Sequence, residues 1–164
     1  MKEYNGDSKG RSLKVNKDMK YKYNDGGRKE AGWKGMAGDC AVRAITIATG
    51  KPYQEVYDAI NEMAKSERTG KRIRGKSSAR NGVYKRTFKK YLEGELGWKW
   101  IPTMFIGQGC KVHLKADELP IAKYDRMILN LSKHYVAVVD GVVQDLSDPS
   151  RGGTRCVYGY WVKD

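Results

Sequence analysis

The chain has 164 residues, enough for one domain with a substantial core. Its 32 Lys and Arg against 19 Asp and Glu give a net charge of +13, which favours anionic partners. No apolar run reaches membrane-span length, the polar start over residues 1–7 is unlike a signal peptide, and three scattered cysteines (Cys40, Cys110, Cys156) do not make a disulfide framework. These features lead to the expectation of a cytoplasmic protein with free thiols and no membrane association.

Residues 1–36 are polar, lysine-rich and glycine-bearing, and predict a flexible basic tail over 1–20 ahead of a single domain over 21–164. The first strong element is the run Cys40-Ala41-Val42-Arg43-Ala44-Ile45-Thr46-Ile47-Ala48-Thr49. It has helix length, with Asp39 placed as N-cap and Gly50 as the C-terminal stop. Apolar residues cover most of its circumference, so this helix is expected at the centre of the fold. Pro52 suits the first turn of a second helix, whose Tyr53, Val56, Tyr57, Ile60 and Met63 share one face. Residues 66–82 lack apolar periodicity and read as a long basic loop. A third helix follows over 84–92, with Tyr84, Phe88, Tyr91 and Leu92 at core spacing.

From Gly97 the pattern turns to strands: 98–101, 111–114, 126–131, a hairpin around Asp140-Gly141, and 154–162. Helices followed by strands give an α+β fold with N-terminal helices packed on a C-terminal antiparallel sheet. Asp140-Gly141 is a two-residue turn signal between valine-rich runs. Turning there sets Val139 opposite Val142 and Val136 opposite Asp145. Asp145 is then a same-face diagonal neighbour of His134, about 7–8 Å away between backbones.

Cys40 in a first helical turn, His134 opening a later strand and Asp145 on its return strand supply a nucleophile, a base and an orienting group. The other histidine, His113, has no carboxylate at a helpful spacing. It is expected to be a surface or strand histidine, and Cys110 and Cys156 to be buried, unreactive thiols. A zinc site drawn from the three cysteines and two histidines is disfavoured, because no CxxC or HxxxH pair exists. No metal and no cofactor are expected.

With the order Cys40, His134, Asp145 in hand, the chain resembles the papain-like cysteine peptidase superfamily, and in particular small phage and bacterial proteins of that fold. The stretches carrying the resemblance are 37–40 (AGDC), 50–53 (GKPY), 132–135 (SKHY) and 155–161 (RCVYGYW). The resemblance spans about residues 30–163 and implies a papain-like fold with a Cys-His-Asp triad. It also exposes a departure. Such enzymes usually carry a glutamine or asparagine about six residues before the cysteine to bind the oxyanion, and 33–38 contain neither. Lys34 can stand in as a charged donor, or the Cys40 N–H can act with a donor from elsewhere. Loss of one such donor costs on the order of 10²–10³ in rate.

Two functions follow. One is a cysteine hydrolase that cleaves or transfers an amide, peptide or isopeptide bond of a peptide or protein substrate. The other is a papain-like binding module without turnover, docking on nucleic acid or an acidic protein. Residues 65–90 hold eleven Lys or Arg against the single acid Glu67, with Lys71, Arg72, Arg74 and Lys76 as the candidate polyanion contacts.

Overall fold

The computed structural model describes residues 18–163 except 36 and 73. In chain order the elements are β1 (Lys20–Tyr23), α1 (Cys40–Thr49), α2 (Tyr53–Ala64) and α3 (Lys85–Lys89), which runs on into a π-helical turn (Lys90–Glu95). Strands β2 (Lys99–Pro102), β3 (Val112–His113), β4 (Arg126–Leu131), β5 (His134–Val139), β6 (Val142–Asp145), β7 (Cys156–Val157) and β8 (Gly159–Val162) follow. The architecture is α+β.

Six strands form one sheet in the order β1-β6-β5-β4-β8-β2, and β3 pairs with β7 in a second, two-stranded sheet. The hairpin register matches the count from its turn: Val139 faces Val142, Val138 faces Val143 and Ala137 faces Gln144. Asp140 and Gly141 both adopt positive φ, 51° and 76°, as a two-residue primed turn requires. The sheet is mixed rather than purely antiparallel, because β1 joins the β6 edge in parallel, with Tyr23 beside Asp145. The Asn24 N–H and the Tyr21 hydroxyl both donate to the Asp145 carbonyl. Residues 1–17 of the expected tail lie outside the described residues, and Met19 is already buried.

Strand alternation builds a core on each face of the sheet. Ile128, Ala137 and Trp161 pack with α1, α2 and α3 on one side, and Met127, Leu129, Val136, Val138 and Val143 pack with Leu114 and Leu119 on the other. Packing on the helix face of the sheet buries most of α1, with Val42, Ile45 and Ala48 at zero exposure. Phe88 of α3 stacks on Tyr135 with centroids 3.8 Å apart, and the Trp161 indole donates to Glu93 in the π-helical turn. Tyr84 falls off the expected apolar stripe and is largely exposed. It precedes the helix in an extended conformation, so helical spacing does not govern its direction.

Cys110 and Cys156 are joined in a disulfide, which corrects the expectation of buried, unreactive thiols. Pairing of β3 with β7 places His113 opposite Cys156 and draws the two together across 46 residues. Free thiols were the basis for expecting a reducing compartment, and only Cys40 remains free. No described helix is long and apolar enough to cross a membrane.

Gly159 marks the tightest point in the sheet. A Cβ there would lie 2.3 Å from the Trp100 ring and 2.9 Å from the Ile101 carbonyl oxygen. Gly159→Ala is therefore expected to lower stability by about 1–3 kcal/mol in urea unfolding. Gly94→Ala, where nothing lies within 4 Å, should not lower it.

Candidate active site

Helix α1 starts at Cys40 and points its N-terminus at the end of the sheet where β4 turns into β5. Leu131 pairs with His134, so Ser132 and Lys133 form a two-residue turn, with Lys133 at φ 55°. His134 Nε2 and Asp145 Oδ2 lie 2.6 Å apart. Engaging Nε2 with the carboxylate leaves Nδ1 for the thiol, and Cys40 lies near enough to His134 and to the Tyr135 backbone N–H for both to favour its thiolate. Phe88 clamps the Tyr135 ring, which holds that amide in place.

These contacts charge the pair. Burial alone would raise the Cys40 thiol, but the His134 hydrogen bond, the Tyr135 N–H, the His134 charge and nearby Arg43 together lower it below its usual range. Burial alone would lower the His134 imidazole, yet Asp145 and the Cys40 sulfur push it up to about 9. Burial also opposes ionisation of Asp145, and His134, the Leu146 N–H and Arg43 hold it below the usual carboxylate range. Both shifts favour the thiolate–imidazolium form of the pair over its neutral form.

A buried ion-pair relay stands behind the triad. Arg43, one turn into α1, binds Asp145 through Nη1 at 2.5 Å and Asp39 through Nε at 2.9 Å. Asp39 is fully buried and also accepts from the Tyr53 hydroxyl at 2.6 Å and from Arg28 at 3.3 Å. Asp39 therefore does not cap α1 with its side chain, contrary to expectation. Its carboxylate is drawn away by the two arginines and Tyr53, and its φ of −98° and ψ of 25° fall outside the extended region usual for a capping residue. Arg43 escaped the sequence reading. Its signal was present, since it is the only charged residue within the apolar run of α1 and lies four residues after Asp39.

Cys40 and His134 border a cleft of about 300 Å³ together with Gly38, Asn81, Asn130 and Tyr135. Gly38 lets the 78–82 loop approach, since a Cβ there would sit 3.0 Å from the Asn81 carbonyl oxygen. Asn130 is 9 % exposed, and its side-chain amide has no hydrogen-bond partner among the described residues. Lys34 does not line this cleft. Its side chain is exposed and its carbonyl accepts from Arg80 Nη2 at 2.7 Å.

The remaining candidates lie apart. Lys71, Arg72, Arg74 and Lys76 are exposed on the 66–84 segment and do not border the cleft. That segment is ordered around Glu67, whose carboxylate accepts from the Ser77 N–H and the Thr87 hydroxyl. His113 does have a carboxylate partner, Glu118, five residues on, which accepts from its Nδ1 at 3.0 Å and from its backbone N–H. A strand-to-loop turn brings them together, a spacing the strand reading of 111–114 did not consider. Among the described residues no group of three His, Cys, Asp or Glu is placed to hold a metal.

No family model, no curated protein and no solved structure matches this chain.

Removing Arg43 leaves two carboxylates buried without their shared cation. Arg43→Met is expected to cost about 3–5 kcal/mol in urea unfolding at neutral pH. Asp145 has a folded pKa below its unfolded value near 3.9. Its contribution to stability is therefore complete above that value and is lost as pH falls through the lower folded one. The stability gap between the native protein and Asp145→Asn should be widest near pH 6 and should narrow steadily toward pH 2.

Proposed function

We propose that this chain is a papain-like cysteine hydrolase that cleaves, or transfers the acyl group from, an amide bond. The observation that carries the reading is that Cys40 and His134 border one open cleft while His134 is hydrogen-bonded to Asp145 on its other side.

The Cys40 thiolate attacks the substrate carbonyl carbon, forming an S–C bond while the C=O electron pair moves to oxygen. The developing oxyanion meets the Cys40 backbone N–H at the positive end of α1, which no group caps among the described residues. The side-chain amide of Asn130 is the second donor. It is nearly buried, unpartnered and directed into the same cleft, and it supplies the amide missing from residues 33–38. Collapse of the tetrahedral species breaks the C–N bond as imidazolium His134 gives its proton to the departing nitrogen. Water, or an acceptor amine, then attacks the thioester with neutral His134 as base. Asp145 keeps the ring oriented and favours its charged form, and Arg43 fixes Asp145 relative to α1.

Alkylation and acylation of Cys40 separate these roles. With the disulfide intact Cys40 is the free thiol, so iodoacetamide near pH 6 should label it at least about tenfold faster than an unperturbed cysteine of pKa near 8.5. p-Nitrophenyl acetate should acetylate it with stoichiometric release of p-nitrophenolate. Asn130→Ala should slow acetylation by roughly 10²-fold and spare alkylation, because displacement of iodide develops no oxyanion. A Cys40 that reacts no faster than a free thiol at pH 6 would remove the hydrolase reading.

A further inference from the structure

A second cavity, of about 410 Å³, opens on the far side of His134 from the nucleophile. His134 and Lys133 line both it and the catalytic cleft, so the two adjoin at the imidazole. Arg151 and Arg155 complete its wall, with Arg43 and Asp145 at its base.

The charges in this cavity are unbalanced. Arg43 and Asp145 neutralise one another within the buried relay. Lys133, Arg151 and Arg155 make no ion pair with any described carboxylate. The one other acid on the wall, Asp148, accepts from the Ser150 N–H through Oδ1 and keeps its charge, so these three cations face a single carboxylate. Arg155 donates through Nη2 to the Ser132 carbonyl at 2.8 Å, while its Nε is buried with no partner. Burial and the neighbouring Arg151 both disfavour its charged form, and Tyr158 and Asp145 offset this only in part. Two of the three cations are also held in strained backbone, Lys133 at φ 55° and Arg151 at φ 53°.

We propose that this cavity is an anion-binding subsite that selects substrates whose leaving group carries a carboxylate next to the scissile amide. The side follows from the chemistry. His134 must protonate the departing nitrogen, so the portion of substrate that runs past the imidazole is the amine portion. Lys133, Arg151 and the free Arg155 Nε then meet the carboxylate, which comes from an acidic side chain or from a free C-terminus. The inference rests on Cys40 acting as a nucleophile.

Vinyl sulfonamides that extend to the leaving-group side test it. The thiolate adds to the vinyl β-carbon and the α-carbon takes a proton, so an S–C bond forms and nothing departs. Four probes differ only in the amine portion: aspartate amide, asparagine amide, lysine amide, and glycine with a free carboxylate. Mass spectrometry of Cys40 should show the aspartate or the free-glycine probe, or both, labelling about tenfold faster than asparagine amide at low salt. The preferred probe identifies the carboxylate source. The ratio to asparagine amide should collapse toward unity in 1 M salt, where screening acts within about 3 Å, and in the Lys133→Asn/Arg151→Asn variant, since asparagine tolerates positive φ. Rates are compared within each protein, so effects common to all probes cancel. Equal labelling by aspartate, free-glycine and asparagine probes, or faster labelling by lysine amide, would overturn the subsite while leaving a reactive Cys40 intact. If neither these probes nor iodoacetamide at pH 6 labels Cys40, the hydrolase reading fails and the subsite falls with it.

Discussion

Arg43 is the constraint on which the site depends. Cys40 sits on a helix and the Asp145 carboxylate on a strand about a hundred residues later, and one guanidinium bonds both Asp39, next to Cys40, and Asp145. A planar fork with fixed donor directions suits this better than an ammonium would. Pairing alone does not make the arrangement stabilising, because desolvating three charges offsets much of the Coulomb gain. What the relay supplies is position: with Asp39 anchored by Arg28 and Tyr53 and Asp145 anchored by Arg43, the imidazole between thiolate and carboxylate has little freedom.

The sheet edge adds a backbone constraint to this side-chain one. β1 lies alongside β6, and three donors from residues 20–24 bond to Gln144 or Asp145, including the Asn24 amide on the Gln144 side chain. The N-terminal segment therefore closes the edge strand that carries Asp145. On the opposite side, α3 brings Phe88 to the Tyr135 ring and its π-helical continuation brings Glu93 to the Trp161 indole. Tyr135 in turn directs its N–H at the Cys40 sulfur. The edge pairing and the helix-face packing thus converge on His134 and Tyr135 at the start of β5.

Much of this was legible in the residues because it is local. The Asp140-Gly141 turn fixes a register, and a register of period two decides which aspartate shares a face with His134; β5 and β6 follow that count. Helices α1 and α2 were legible from spacing and from Gly50 and Pro52. What escaped depends on contacts distant in sequence. A four-residue lysine-tyrosine strand with no apolar alternation, β1, is specified by the edge it joins rather than by its own pattern. The Cys110–Cys156 bond follows from the pairing of two short strands, and strand patterns over 111–114 and 154–162 do not by themselves say that the two meet. Asn130 reads as one polar residue in a central strand, and only the position of Cys40 above it makes its unpartnered amide meaningful.

The diversion of the Asp39 carboxylate has a thermodynamic side. An uncapped helix start forgoes about 0.5–2 kcal/mol that a capping side chain ordinarily contributes. Under the hydrolase reading, the Cys40 N–H that this start leaves open is the donor a substrate carbonyl oxygen engages, so binding recovers part of what a capping side chain contributes elsewhere. A better-capped start would make α1 more stable and close that donor.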